Sequence, residues 1–332
     1  MTHTDRSTTS STPSTSPVGI APGGVRVRGR RPGDAAASFF HRRRRLTLWL
    51  LLAPPLLWFG VVFAGALFAL VWQSTYTFND FTMQVTPDPT LANYRALLGD
   101  TNRDIVLRTL AMASAVTIAC AIIGFPIAYY MARYTRGATR GLFYVGVMLP
   151  MWASYIVKAY AWTMILSRGG IIYWVVDRIG LRGALDWLLT VPYLGGSSLS
   201  TSNLGRFLVF TYAWLPFMIL PMNAAIERVP SRLLEASADL GATPWQTFRA
   251  VLLPLVFPGV VAGSIFTFSL TLGDYIIPQL VGPPGLYIGT MVNLQQGSVG
   301  NLPMAAAFTT VPIVIITIYL ALARRLGAFD AL

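Results

Sequence analysis

The stretch "EASADLGATPWQTFRAVLLP", residues 235–254, lies between two long apolar runs, yet it holds two acids, an arginine, a glycine and a Thr-Pro step. Its local pattern reads as two short helices around a turn. Gly241 stands where a left-handed residue ends the first helix, Ser231 is placed to cap its start, and Pro244 restarts the second. Thr243 and Gln246, three residues apart, form a capping box. On the first helix Glu235 and Asp239 are four residues apart on one face, and like charges at that spacing weaken an isolated helix slightly. A group outside the chain is expected to compensate them.

Moving outward, the chain of 332 residues is 54% hydrophobic and only 11% charged, with a mean hydropathy of +0.57, values that mark an integral membrane protein. Six segments reach the roughly 20 helical residues needed to cross a hydrocarbon core. They run over 46–72, 106–131, 142–166, 206–226, 251–273 and 303–323. Helices are the expectation because an isolated strand in lipid leaves its backbone groups unpaired. The fold class is therefore an all-α membrane protein of six transmembrane helices, with the quoted stretch as a helix-turn-helix loop between the fourth and fifth.

Arginine placement sets the orientation. A cytoplasmic N-terminus puts Arg42 to Arg45, then Arg133, Arg136 and Arg140, then Arg228, Arg232 and Arg249, and finally Arg324 and Arg325 on the inside. The outer side receives fewer arginines over longer loops, and none between residues 274 and 302. Both termini, and the quoted loop, are expected on the cytoplasmic side. The same assignment absorbs the net charge of +12, leaving no basic face for nucleic acid. Residues 1–45, from "STTSSTPSTSP" to "HRRRR", cannot bury enough apolar surface to offset ordering entropy and read as a disordered basic tail. The arginines at its end serve as a topology signal or bind lipid headgroups. Residues 46–90 hold the first span and its external loop, 91–325 the main transmembrane domain, and 227–250 the cytoplasmic loop within it.

Several chemistries are excluded. Cys120 is the only cysteine, so no disulfide or thiolate cluster forms within one chain. The only histidines, His3 and His41, precede the first span, which argues against histidine catalysis and zinc. The single lysine, Lys158, follows Val157, so no Gly-Lys-Ser/Thr phosphate loop exists here. No catalytic residue, metal or cofactor is expected. Between spans, "IIYWVVDRIGL" and "ALDWLLTVPYL" read as short interfacial helices or as a partner-docking surface. Gly259 and Gly263, four apart, permit close helix approach, and Pro254 and Pro258 allow kinks, so the fifth helix is a candidate liner of the pathway, although plain packing is the more common meaning of such a pair.

The quoted loop resembles the signature of membrane subunits of binding-protein-dependent ABC importers. That signature is Glu-Ala-Ala, three residues, Gly, nine residues, then Ile-x-Leu-Pro, matched here by Glu235, Ala236, Ser237, Gly241, Val251, Leu253 and Pro254. Ser237 and Val251 depart from it without disturbing the spacing. The resemblance implies that Glu235, Ala236, Ser237, Asp239 and Gly241 couple the chain to an ATPase subunit present in two copies. It also implies a second permease of different sequence, an extracytoplasmic solute-binding protein, and a non-enzymatic role in the cell membrane. "LPMWASYIVKAYAWTMILSRGGIIYWV" and "TLGDYIIPQLVGPPGLYIGTMVNLQQ" are similar to the spermidine/putrescine branch, with ferric iron, thiamine and phosphonate importers sharing parts of the pattern.

Lys158 and Asp274 are the notable charges at membrane depth, both in the outer half. One reading pairs them on the path of a cationic substrate, since intramembrane charges face cavities or one another. The other has Lys158 reaching the outer headgroups while Asp274 ends its helix at the interface. An ion-coupled secondary transporter is the rival of another class, but it needs more ionisable relay groups than these helices hold.

Overall fold

A computed structural model describes residues 44–325 of the chain. The expected tail over 1–45 falls outside them, except that Arg44 and Arg45 already belong to a helix. The described chain divides into two units. The first, ending at Ala64, holds helix α1 (Arg44–Trp58), with Pro54 and Pro55 inside it, followed by a π-helical turn over Phe59–Ala64.

The second unit begins with α2 (Gly65–Gln73) and a β-hairpin of β1 (Thr77–Asn79) and β2 (Gln84–Thr86), in which Thr77 faces Thr86 and Asn79 faces Gln84. Asn79 tightens the hairpin turn by accepting from the backbone N–H groups of Phe81 and Thr82. The helices α3 (Ala92–Leu97), α4 (Asp100–Tyr134), α5 (Gly137–Trp152), α6 (Tyr155–Ile165), α7 (Ile171–Arg178) and α8 (Arg182–Thr190) follow. Then come α9 (Asn203–Arg228), α10 (Ser231–Asp239), α11 (Pro244–Thr247), α12 (Leu253–Gly273), α13 (Ile276–Leu280), α14 (Ile288–Asn293) and α15 (Leu302–Arg325).

The core is the mutual packing of α4, α9 and α12. Gly259 and Gly263 explain the closeness of α12 to α9. A Cβ at Gly259 would lie 2.4 Å from the Ala225 Cβ, and one at Gly263 would lie 2.7 Å from the Met218 sulfur. The pair thus serves packing, and no other residue type fits without moving a backbone.

Five helical runs are long and apolar enough to cross a membrane: Leu48–Gln73, Asp100–Tyr134, Asn203–Arg228, Pro244–Gly273 and Leu302–Arg325. The expected single span over 142–166 is instead a bent pair. α5 and α6 meet at 94°, and counting them as one span gives six. The cause is local: Ala153 and Ser154 are extended, so the Pro150 carbonyl loses the amide it would meet in a continuous helix. Lys158 Nζ donates to that carbonyl at 2.8 Å. The fifth run is longer than expected because α11 continues through a π-helical turn, Phe248–Leu252, into α12. The two amphipathic stretches after α6 are helical, as α7 and α8.

Candidate functional site

The elbow formed by α10 and α11 is built from bonds between near neighbours. α10 ends as its glycine requires: Gly241 has φ +80°, its N–H donates to the Ala238 carbonyl at 2.8 Å, and the Ala242 N–H donates to the Ser237 carbonyl at 3.1 Å. α11 starts with a complete capping box between Thr243 and Gln246. Ser231 does not cap α10. Pro230 occupies the capping position, Ser231 is the first helical residue, and no side chain caps this end. Proline's fixed φ and missing donor suit it to the entry of a helix, which leaves the serine one place too late.

Glu235, Ala236, Asp239 and Gly241 are all exposed, and among the described residues neither acid takes part in an ion pair. Ser237 points elsewhere: its hydroxyl lies 2.9 Å from that of Thr247 and ties the two elbow helices together. Two apolar side chains that the sequence reading did not select join the exposed acids, namely Leu240 at 89% exposure and Trp245 at 66%. Their signal was an aliphatic and an aromatic residue flanking a turn glycine in a polar stretch. Beneath them, Phe248 stacks on Trp245 and meets Phe125 of α4 edge-on at 5.3 Å, so the elbow rests on the bundle through an aromatic contact.

The opposite end of the bundle brings Lys158 and Asp274 into one neighbourhood but does not pair them. Asp274 follows α12; its Oδ1 accepts from the N–H groups of Ile276 at 2.7 Å and Ile277 at 3.1 Å, starting α13. Its Oδ2 accepts from the Tyr155 hydroxyl. The Lys158 ammonium lies 5.6 Å from the centre of the Tyr155 ring while bonding to the Pro150 carbonyl. Tyr155, stacked on Trp214, therefore stands between the two charges.

A third polar centre escaped the sequence reading altogether. Arg206 is 1% exposed and, among the described residues, has no acidic partner. Its Nε donates to the Val281 carbonyl at 2.8 Å, one terminal nitrogen to the Pro283 carbonyl at 2.8 Å, and the other to Asn203 Oδ1 at 2.9 Å. The ring of Tyr287 lies 4.5 Å away, and Gly282 at φ +103° leaves room for the guanidinium, which any Cβ there would strike at 2.6 Å. The planar fork of arginine satisfies carbonyls left open where α13 ends. The only hint in the sequence was an arginine inside an apolar run, with a Gly-Pro-Pro-Gly turn far along the chain.

Residues 121–328 match the family described as binding-protein-dependent transport system inner membrane component. This chain belongs to that family. It is a permease subunit of an ABC importer, a multi-pass inner-membrane transport component and not an enzyme. The permease is 64% identical over 303 residues to the inner membrane ABC transporter permease protein YdcU of Escherichia coli K12, covering 91% of this chain and 97% of that one. It is 28% identical over 219 residues to the spermidine/putrescine transport system permease protein PotB of the same organism, covering 66% and 75%. In fold it is similar to a chain of a bacterial ABC transporter that imports alginate, with a TM-score of 0.63 at 17% identity over 88% of this chain and 99% of that one.

Proposed function

We propose that this permease imports polyamines, spermidine or putrescine, and that the elbow is where an ATPase subunit grips it. The observation that carries the coupling role is the elbow's construction. It is fixed by its own caps, exposes Glu235, Ala236, Asp239, Leu240 and Trp245, and runs without interruption into α12. A protein that pushes on α11 pushes on a membrane helix. Two copies of the ATPase, one against this chain and one against a second permease of different sequence, close on ATP binding and open the pathway outward. An extracytoplasmic solute-binding protein then delivers substrate, and the termini and the elbow lie in the cytoplasm.

The likeness to a spermidine/putrescine permease supports the substrate, and the acid at Asp274 beside Tyr155 suits a cationic solute. Lys158 serves this pathway by holding the corner at Pro150, where its ammonium is occupied. The test is uptake of labelled spermidine and putrescine by cells lacking the gene, complemented with the natural chain or with Glu235→Arg at equal membrane abundance. Restoration by the natural chain alone supports both assignments. Equal uptake with and without the natural chain removes the polyamine assignment, and restoration by Glu235→Arg removes the coupling role of that face.

A further inference from the structure

At the elbow end of the bundle, a cluster of polar side chains joins α9 to α5. Glu227 Oε1 accepts from Asn223 Nδ2 at 2.7 Å, from the Tyr144 hydroxyl at 2.9 Å and from the Arg140 guanidinium at 2.5 Å. Asn223 Nδ2 also donates to the Tyr144 hydroxyl. Glu227 lies on the last turn of α9, and only Val229 and Pro230 separate that helix from α10. Arg133 of α4 donates to the carbonyls of Ile226 at 3.1 Å and Val229 at 2.8 Å, so the link between α9 and the elbow is braced by bonds as well as short. Displacement of the elbow therefore reaches Glu227 first.

None of the 16 residues of α5 is buried, as in the run Leu48–Gln73, whereas the other four long runs each bury part of their length. α5 packs on the core only by Phe143, Tyr144 and Val147. A groove of about 540 Å³, lined by Phe143, Gly146, Val147, Leu215 and Ile219 among others, runs between it, α4 and α9. Few buried contacts and adjoining space are the attributes of an element that moves as a unit. Its far end is the 94° bend, where the Pro150 carbonyl takes the Lys158 ammonium and the next helix presents Tyr155 to Asp274. One rod thus spans from the elbow to the corner proposed for the pathway.

We propose that the Arg140–Tyr144–Asn223–Glu227 clamp makes α5 a lever, which carries motion of the elbow to the Tyr155–Asp274 corner and narrows the groove beneath it. This rests on the coupling role of the elbow but not on the identity of the solute. Asn223 adds an independent sign. Its residue is 1% exposed, and its Oδ1 has no hydrogen-bond partner among the described residues. A buried acceptor left open costs free energy in this arrangement, and a second arrangement of the clamp would use it.

The test uses the complete importer in liposomes, with Cys120→Ser and a cysteine pair across the groove, Gly146→Cys and Leu215→Cys. An added Cβ at Gly146 has nothing within 4 Å, so the substitution fits. The rate of disulfide cross-linking is read without nucleotide and with ATP plus vanadate, with no solute present. The expected result is a rate difference of about tenfold, abolished by Arg140→Glu and restored by Arg140→Glu with Glu227→Arg. Equal rates in the two states would overturn the lever, as expected if lipid or the second permease fills the groove in both. A difference that survives Arg140→Glu would overturn the clamp. Glu235→Arg is run alongside: if it keeps the full nucleotide response, the elbow reading fails and the lever with it. Tyr144→Phe replaces Arg140→Glu if the latter does not assemble, with the same outcomes weighed.

Discussion

The elbow and the Arg206 centre are both polar assemblies in an apolar protein, and they are built on opposite plans. The hydrogen bonds within the elbow join residues within ten positions of each other, such as Ser237 to Thr247 or Thr243 to Gln246. Arg206 reaches 75 residues to Val281 and 77 to Pro283. The bundle meets the elbow from beneath, through Phe125 and Arg133, and the elbow's internal bonds set the rest of its shape, which leaves its outer face free to meet another protein. The Arg206 centre exists only when α9 and the loop after α13 are already in place. Damage to the first is therefore local in consequence, and damage to the second is global.

The largest effect should come from Arg206→Met. It leaves the Val281 and Pro283 carbonyls without donors in a buried setting, at about 1 to 3 kcal/mol for each unsatisfied group. The expected outcome is a lowered unfolding temperature of the purified permease in detergent and less of it in the membrane. An unchanged unfolding temperature would mean that water replaces the guanidinium, and the contrast with the elbow would fail. Gly263→Leu comes next, since Met218 already lies where its Cβ must go; overpacking of this kind costs about 1 to 3 kcal/mol. It too should lower the unfolding temperature, because it separates α12 from α9.

Which parts were legible from sequence follows the same division. Gly241, Thr243 and Gln246 could be placed because turn and cap chemistry acts within a few residues, and the structure puts all three as read. Five of the six spans stand because hydrophobic length is additive along the chain. The break at Ala153 was not visible, since the apolar run continues across it and the group that makes the bend tolerable, Lys158, lies beyond it. Distance in sequence also hid Tyr155 between the two charges and concealed the destination of Arg206. Ser231 was misplaced by one residue because two adjacent residues, Pro230 and Ser231, both suit a helix entry, and only one can hold the position.

Gly241→Val sharpens the contrast from the elbow's side. A β-branched residue held at φ +80° costs about 1 to 2 kcal/mol, and it has no neighbour within 4 Å to strain. The unfolding temperature should stay within the scatter of the natural chain, while nucleotide-driven transport by the assembled importer falls. A matching fall in unfolding temperature would show that the elbow is part of the bundle's stability after all.

The smallest effect is expected for Thr243→Ala. The Thr243 hydroxyl accepts from the Gln246 N–H at 3.4 Å, and the Gln246 side chain accepts from the Thr243 N–H at 2.7 Å. The substitution removes the 3.4 Å bond and the hydroxyl's own donation to Gln246 Oε1 at 3.0 Å but keeps the shortest, so the loss should stay within the roughly 0.5 to 2 kcal/mol typical of such caps and toward its lower end. α11 frays at its first turn while α12, anchored on α9 by Gly259 and Gly263, holds its place. Faster hydrogen exchange confined to residues near 244–247, with protection in α12 unchanged, is the outcome that a self-contained elbow requires. Exchange that spreads into α12 would mean that the π-helical turn over Phe248–Leu252 transmits unfolding as readily as it is proposed to transmit a push.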